Sequence, residues 1–209
     1  MWSLSTFAAI TVSLLLGVQQ TSAHDGPESP FMVTNGQADA PYGFIRYCAT
    51  FAQDCAPSKR SYNRADGSPK SLAELDLVNR LVNQAIEPVT DKVQYGVTEH
   101  WTIPTSGKGD CEEYVLVKRR MLIERGWSPA ALLITVVIDE NGGGHAVLTA
   151  RTSTGDYVLD NKNATVLLWH QKPYKFVMRQ SYLHPKRWVA LEPHEPGPPV
   201  ISAGIPKRR

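Results

Sequence analysis

The sequence predicts an α+β fold, with N-terminal helices packed on an antiparallel β-sheet. Two segments before Gly126 carry apolar residues at helical spacing, and each opens with a capping-box pattern. From residue 131 onward the pattern changes to short β-branched runs separated by glycine- and serine-containing turns. Helices first and a meander of strands afterwards is the order typical of the α+β class.

Composition excludes several classes of protein. The chain has 209 residues, of which 42% are hydrophobic and 20% charged, so wholesale disorder is excluded. A net charge of +2 creates no strong field, so nucleic acid is not an expected partner. The length suits a single domain, which we expect to work as a monomer.

The N-terminus has the pattern of a secretory signal peptide. Residues 4–18 form an uncharged apolar run that is too short for a comfortable membrane span, and small residues follow at Thr21 and Ala23. We therefore expect a signal peptide at 1–23 and a periplasmic or secreted mature protein without membrane association. A buried core helix or an uncleaved anchor is the alternative, because no Lys or Arg precedes the run.

The remaining sequence divides into three parts. Residues 24–40 are rich in Pro, Gly and Asp and predict a flexible lead-in. The domain is expected at 41–190. Residues 191–209 contain Pro-Gly-Pro-Pro and a terminal Lys-Arg-Arg and predict a disordered tail.

The first half of the domain is expected to hold one long helix. Residues 43–51 are expected to enter as an extended segment. The helix then begins at Ser71, with Glu74 completing a capping box, and ends before Pro88. Residues 89–109 form a long connection, of the kind that often surrounds a functional site.

A second helix is expected to carry the most informative cysteine. Asp110 is the expected N-cap with Glu113 as its capping-box partner, so Cys111 lies in the first turn. Gly126 is a suitable residue to end the helix. The basic run at 118–120 is expected on its solvated face. The strands that follow are expected at 131–138, 145–151, 157–161, 166–169 and 174–180.

Three cysteines divide unevenly if two of them pair. Cys48 and Cys55 are seven positions apart, and a short loop of this kind can close as a disulfide in an oxidising compartment. Two unpaired thiols, or half of a metal site, are the alternatives. A disulfide would leave Cys111 as the free thiol.

Cys111, His145 and Asp160 together predict nucleophilic catalysis. A helix N-terminus lowers the pKa of a thiol, and an adjacent imidazole would lower it further. His145 opens one expected strand and Asp160 closes the next, so a tight turn would bring them nearly opposite one another. Singly, each residue has an ordinary structural explanation: a small buried thiol, a strand-end histidine and an Asx turn. Jointly they match the Cys-His-acid arrangement of papain-like enzymes.

Three segments resemble a known family. These are Gly-Lys-Gly-Asp-Cys-Glu-Glu-Tyr, Gly-His-Ala-Val-Leu and Tyr-Val-Leu-Asp-Asn, and they are similar to signature segments of the bacterial transglutaminase-like cysteine proteinases, the LapG-like peptidase family C93. The resemblance implies a papain-like, transglutaminase-like core with Cys111 as nucleophile, His145 as general base and acid, and Asp160 as the residue that orients the imidazole.

The resemblance also bears on cofactor and substrate. The chemistry itself requires no cofactor, but the family implies calcium bound by acidic residues that flank the cysteine. By position these are Asp110 and Glu112, with Glu113 also in the motif, although Asp110 and Glu113 have a sufficient role in capping the helix. The short chain and its Cys48/Cys55 pair are associated with a compact subset of the family. The surface adhesin that other members of the family cleave is therefore not assumed to be the substrate, and the expectation is limited to a protein of the cell surface or the periplasm.

The same triad serves more than one reaction. If water resolves the thioester the enzyme is a peptidase, and if an amine does so it is a transglutaminase; amidase chemistry uses the same residues. A periplasmic binding module with a vestigial triad is the alternative from a non-enzyme class. The complete triad and the resemblance favour an exported cysteine peptidase.

Overall fold

Helices and strands occur in nearly the order that the sequence predicts. The computed structural model describes residues 29–57, 62–191 and 193. The helices within these residues are α1 (Tyr42–Thr50), α2 (Pro69–Ala85), α3 (Asp91–Tyr95) and α4 (Cys111–Glu124). The strands are β1 (Thr34–Ala38), β2 (Glu87–Pro88), β3 (Lys108–Gly109), β4 (Leu132–Ile138), β5 (Gly144–Thr152), β6 (Gly155–Leu159), β7 (Leu167–Leu168), β8 (Lys175–Gln180) and β9 (Trp188–Leu191).

The described strands form one antiparallel sheet and one short parallel pair. The sheet has seven strands in the order β1-β9-β8-β4-β5-β6-β7, and β2 pairs with β3. Helices α2 and α4 cover one face, where Leu75, Leu122 and Leu148 share a buried cluster. Val147 and Trp169 belong to a second cluster on the opposite face. The expected α+β architecture, with helices packed on an antiparallel sheet, is confirmed.

Residues 43–51 are helical rather than extended. Phe44, Tyr47 and Cys48 are buried at i, i+3 and i+4, so one face of α1 enters the core. The ring of Phe44 packs edge-on against Trp101, at 5.8 Å between centroids. The expectation of an extended segment was wrong because this helix is stabilised by tertiary contacts with a distant loop.

The lead-in is ordered where it meets the sheet. Thr34–Ala38 forms the edge strand β1, and Ala38 pairs with Trp188 of β9. The expectation of a flexible lead-in therefore does not hold for this part of 24–40. Local composition could not reveal the strand, because its partner comes from the other end of the chain.

The first long helix starts earlier than expected. Ser68, not Ser71, is the N-cap of α2, and its hydroxyl accepts a hydrogen bond from the backbone N–H of Ser71 at 3.4 Å. Pro69 occupies the first helical position, where its missing N–H and fixed φ are favourable. The connection at 89–109 is also less irregular than expected, since it contains α3 and β3.

A disulfide joins Cys48 to Cys55, as the sequence predicts, with 5.6 Å between the Cα atoms. The bridge rules out the alternatives of unpaired thiols and half of a metal site, and leaves Cys111 as the free thiol. Asp54 lies within the bridged loop and accepts a hydrogen bond from Arg120 of α4 at 2.7 Å. The loop is therefore attached to the helix that begins at Cys111.

The two termini fall largely outside the described residues. The expected signal peptide at 1–23 lies outside them entirely, as does nearly all of the expected tail at 191–209. Leu191, the first residue of that expected tail, is the last residue of β9. Among the described residues, no helix has the length and apolar character needed to cross a membrane.

Candidate active site

Cys111 is the first residue of α4, as the sequence predicts. Asp110 is the N-cap, and the carboxylate of Glu113 accepts a hydrogen bond from the Asp110 backbone N–H at 3.0 Å. The other Glu113 oxygen accepts from the backbone N–H of Thr102 at 3.0 Å. Gly109 allows this close approach, because a Cβ there would lie 2.6 Å from the Glu113 Cβ. Glu113 therefore anchors the loop that precedes the cysteine.

The surroundings of Cys111 favour the protonated thiol over the thiolate. Its Sγ lies 2.9 Å from Oε2 of Glu112. The sulfur also accepts a hydrogen bond from the backbone N–H of Ala146, the residue after His145. Burial raises the pKa of the Cys111 thiol, and the Glu112 carboxylate raises it further. The sequence predicted a lowered pKa. That prediction was wrong, because burial and a neighbouring carboxylate outweigh the helix N-terminus.

His145 and Asp160 are brought together by the β5–β6 hairpin. Nε2 of His145 lies 3.0 Å from Oδ1 of Asp160, and the two residues are 4% and 1% exposed. Leu148 pairs with Leu159, so Asp160 lies just beyond the end of β6 and reaches His145 diagonally rather than from directly opposite. The predicted contact between imidazole and carboxylate is present.

Each carboxylate oxygen of Asp160 accepts two hydrogen bonds. Oδ1 accepts from His145 and from the backbone N–H of Lys162, at 3.0 Å each. Oδ2 accepts from the Tyr174 hydroxyl at 2.7 Å and from Nζ of Lys172 at 2.6 Å. Burial alone would raise the pKa of Asp160, but the hydrogen bond from His145 and the positive charge of Lys172 hold it well below its usual range.

Helix α2 fixes the backbone at Asp160. The Asn79 side chain accepts a hydrogen bond from the Asp160 N–H at 3.0 Å, and the Asn83 amide donates to its carbonyl at 2.9 Å. Sequence reasoning missed these two asparagines, as it missed Lys172 and Tyr174. Their spacing of four places both asparagines on one face of a helix, and this was the signal available for that pair.

The basic run at 118–120 is not a solvated face. Lys118 and Arg119 are 0% and 7% exposed, and Nζ of Lys118 has no hydrogen-bond partner among the described residues. Burial lowers the pKa of Lys118 to about 7; the charge of Asp160 opposes this shift and that of Lys172 adds to it. The expectation was wrong because α4 is buried between the sheet and α2, so even its second half has few solvated positions.

Lys118→Met is expected to stabilise the fold more at low pH than at high pH. The amine pKa is 10.5 in the unfolded chain and about 7 in the fold, so the unfolded state binds more protons between these values. Wild-type stability therefore rises with pH across that window. The advantage of methionine should shrink by about 2–3 kcal/mol between pH 6 and 9 in urea unfolding. The exposed Lys70→Met is the control, and an advantage for Lys118→Met that stays constant with pH would contradict the argument.

Acidic side chains converge beside Cys111. Ligand atoms of Asp91, Asp110 and Glu113 lie within 4.8 Å of one another, and so do those of Asp110, Cys111 and Glu112. Oδ1 of Asp110 is buried, and it has no hydrogen-bond donor among the described residues when Glu112 is ionised. Burial raises the pKa of Glu112 to about 9, with Asp110 adding to the shift, and burial raises that of Glu113 to about 8. Converging carboxylates with an unpartnered oxygen fit a hard cation such as calcium.

The structure therefore brings together all the residues that the sequence singled out around the cysteine. It adds Asp91, which the sequence did not single out because it lies nineteen positions before Asp110 in the connection. The backbone N–H of Asp91 donates to Oδ2 of Asp110 at 3.0 Å, which ties α3 to the start of α4.

Comparisons with known proteins identify the family of this chain. The profile of the family described as bacterial transglutaminase-like cysteine proteinase matches residues 34–196, well over half of the chain. No curated protein matches. The solved structure of LapG from Legionella pneumophila is 25% identical over 60% of this chain and 71% of that chain, with a TM-score of 0.50.

Two further LapG structures from the same organism are similar. The calcium-bound form is 21% identical, covers 80% of this chain and 87% of that chain, and has a TM-score of 0.50. The chain spans 64% of the EGTA-treated form, with 25% identity over 55% of this chain and a TM-score of 0.47. The family match and the calcium-bound form together show the expected transglutaminase-like fold. The chain belongs to the bacterial transglutaminase-like cysteine proteinases, a family of cysteine peptidases.

Proposed function

We propose that this chain is an exported cysteine peptidase that cleaves a protein substrate through a Cys111-His145-Asp160 triad. The observation that carries the proposal is the buried 3.0 Å contact between His145 and Asp160, on a strand whose next residue, Ala146, contacts the thiol of Cys111 through its backbone. Family membership supports peptide hydrolysis as the reaction.

Each member of the triad has a defined task. Nε2–H of His145 donates to Asp160, so Nδ1 is the nitrogen available to take the Cys111 proton. The thiolate attacks the scissile carbonyl, and the imidazolium gives its proton to the leaving amine. Water then attacks the thioester, His145 again acting as base, and releases the acid product and the thiol. The backbone N–H of Cys111, at a helix N-terminus, is a suitable donor to the oxyanion.

We propose that calcium binds the acidic side chains beside the cysteine. Asp110 would supply an oxygen ligand, because it belongs both to a group with Glu112 and to a group with Asp91 and Glu113. Glu113 also holds the backbone of the loop. Calcium supplies positive charge that compensates these carboxylates. That positive charge would also lower the pKa of the Cys111 thiol, which burial and the neighbouring Glu112 otherwise raise.

We propose hydrolysis rather than amine transfer or a non-catalytic role. A vestigial site has no need of a fully buried carboxylate that receives four hydrogen bonds, as Asp160 does. The family description, a proteinase, favours water over an amine as the second substrate.

The same proposal places the mature protein in an oxidising compartment. The Cys48–Cys55 disulfide supports export, because such bridges persist in the periplasm or outside the cell. We propose that signal peptidase cleaves after Ala23, so that the mature chain begins at His24.

N-terminal profiling of exported proteins tests the peptidase. Cells that carry the wild-type chain should show new protein N-termini that disappear with Cys111→Ala, and both chains should begin at His24. The Cys111→Ala variant is well matched, because the small side chain removes the thiol and leaves the helix start intact. Absence of any new N-terminus that depends on Cys111 overturns the peptidase.

Alkylation by iodoacetamide tests the nucleophile without a substrate. Cys48 and Cys55 are paired, so the label reports Cys111 alone. With calcium the thiol should react near neutral pH faster than a model thiol of pKa about 8.5. A chelator should slow the reaction, because it removes the positive charge that favours the thiolate while burial continues to favour the thiol. His145→Gln should remove the acceleration. A rate no faster than the model thiol, in calcium and in chelator alike, argues against an active site.

A further inference from the structure

We propose that Lys172 and Tyr174 act as positioning residues that hold one oxygen of Asp160, so that the other is presented to His145. We call the pair the Lys172–Tyr174 clamp. The inference rests on the proposed triad and adds to it two buried residues that lie outside the three signature segments.

The geometry of the clamp is specific to one oxygen. Nζ of Lys172 lies 2.6 Å from Oδ2 of Asp160, and the Tyr174 hydroxyl lies 2.7 Å from the same atom. An Asp carboxylate turns about a soft, two-fold torsion, so an unrestrained one can change which oxygen it presents. With Oδ2 held at two points, the position of Oδ1 opposite His145 is determined.

Tyr174 also touches the imidazole that is being oriented. Its ring packs edge-on against the ring of His145, at 5.7 Å between centroids. One side chain therefore limits movement of both partners of the hydrogen bond. Tyr174 is 3% exposed, so water does not compete for its hydroxyl.

The charges around Asp160 favour a positioning role for Lys172 over a purely structural one. Lys118 on α4 and Lys172 before β8 both face this carboxylate and are buried, but only Lys172 forms a hydrogen bond with it. From α2 only the neutral Asn79 and Asn83 approach. A buried ion pair is seldom worth more to stability than well-packed apolar side chains. What this ion pair provides is an Asp160 carboxylate that stays ionised and keeps one orientation.

The chain offers a matched pair of substitutions. Lys172→Met and Lys118→Met each replace a buried lysine near Asp160 by an uncharged side chain of similar length. Only the first removes a hydrogen bond to the carboxylate. Tyr174→Phe removes the hydroxyl that forms the other hydrogen bond of the clamp and changes the side chain by a single oxygen atom.

The mature chain with calcium should separate these variants in two measurements. The low-field proton resonance of the His145 N–H bonded to Asp160 should move or broaden in Lys172→Met and in Tyr174→Phe, and should persist in Lys118→Met. The alkylation rate of Cys111 should fall by up to about 100-fold in Lys172→Met, the effect of a small misplacement within a catalytic group. Lys172→Arg, which keeps the charge and a donor, should recover most of that loss.

The outcomes distinguish the clamp from the triad itself. If His145→Gln leaves alkylation unchanged, the proposed triad fails. If His145 is needed but Lys172→Met and Tyr174→Phe leave both the resonance and the rate as in wild type, only the clamp fails. Equal effects of Lys172→Met and Lys118→Met would assign the result to buried charge in general and overturn the positioning role. Should Lys172→Met not fold, Tyr174→Phe and Lys172→Arg still decide the question.

Discussion

Asp160→Asn is expected to slow acyl transfer by about four orders of magnitude while Cys111 and His145 stay in place. If the Asn amide turns its NH2 group toward Nε2 of the imidazole, that nitrogen must accept, which favours the wrong tautomer. If it turns its oxygen toward the imidazole N–H, the oxygen carries no charge and fails to stabilise the imidazolium. The measurement is single-turnover cleavage of a substrate identified by N-terminal profiling. A loss no larger than that of Tyr174→Phe would contradict the assigned role of Asp160.

The same substitution should also destabilise the fold. Lys172 is 2% exposed, and the Asp160 carboxylate compensates its buried positive charge. Removing the carboxylate charge is therefore expected to lower the free energy of unfolding, measured in urea, by about 3–5 kcal/mol. Adding Lys172→Met to Asp160→Asn should recover much of this loss, because no uncompensated lysine then remains beside the altered side chain. Activity should not return in the double variant. Recovery of both quantities together would mean that the activity loss reflects unfolding alone.

The fold class, the helix start at Cys111 and the contact between His145 and Asp160 could be predicted because each depends on local pattern. Cys111 follows a capping residue, and the turn between β5 and β6 is short, so the contact between His145 and Asp160 is encoded within fifteen positions. The disulfide is similarly local. Chemistry-bearing residues at the ends of helices and strands are recognisable when the elements themselves are short and well delimited.

What could not be predicted depends on distant parts of the chain. The edge strand β1 needs β9, and α1 needs aromatic partners such as Trp101. The burial of Lys118 follows from packing on both sides of α4 and contradicts the usual behaviour of a basic run. The predicted direction of the Cys111 pKa shift was wrong for the same reason. A helix N-terminus is a local feature, whereas desolvation depends on the whole site.

Calcium is expected to stabilise the protein more at pH 8 than at pH 6. Burial raises the pKa of Glu112 to about 9 from 4.5 and that of Glu113 to about 8, so the fold holds protons that the unfolded chain has lost between those values. Stability without calcium therefore falls as pH rises through this window, by about 1.4 kcal/mol per pH unit for each extra proton held. Calcium needs ionised carboxylates, so its binding releases these protons and tightens as pH rises.

Thermal unfolding with calcium or chelator at the two pH values measures this linkage. Calcium at a hundred times its dissociation constant adds about 2.7 kcal/mol, which sets the scale of the expected shift. Lys118 titrates in the opposite direction, so differences between variants are more informative than wild-type curves. Glu112→Gln should reduce both the calcium effect and its pH dependence, whereas Glu124→Gln, an exposed acid on the same helix, should change neither. If these two variants respond to calcium alike, the acidic side chains beside Cys111 are a helix-capping arrangement and nothing more.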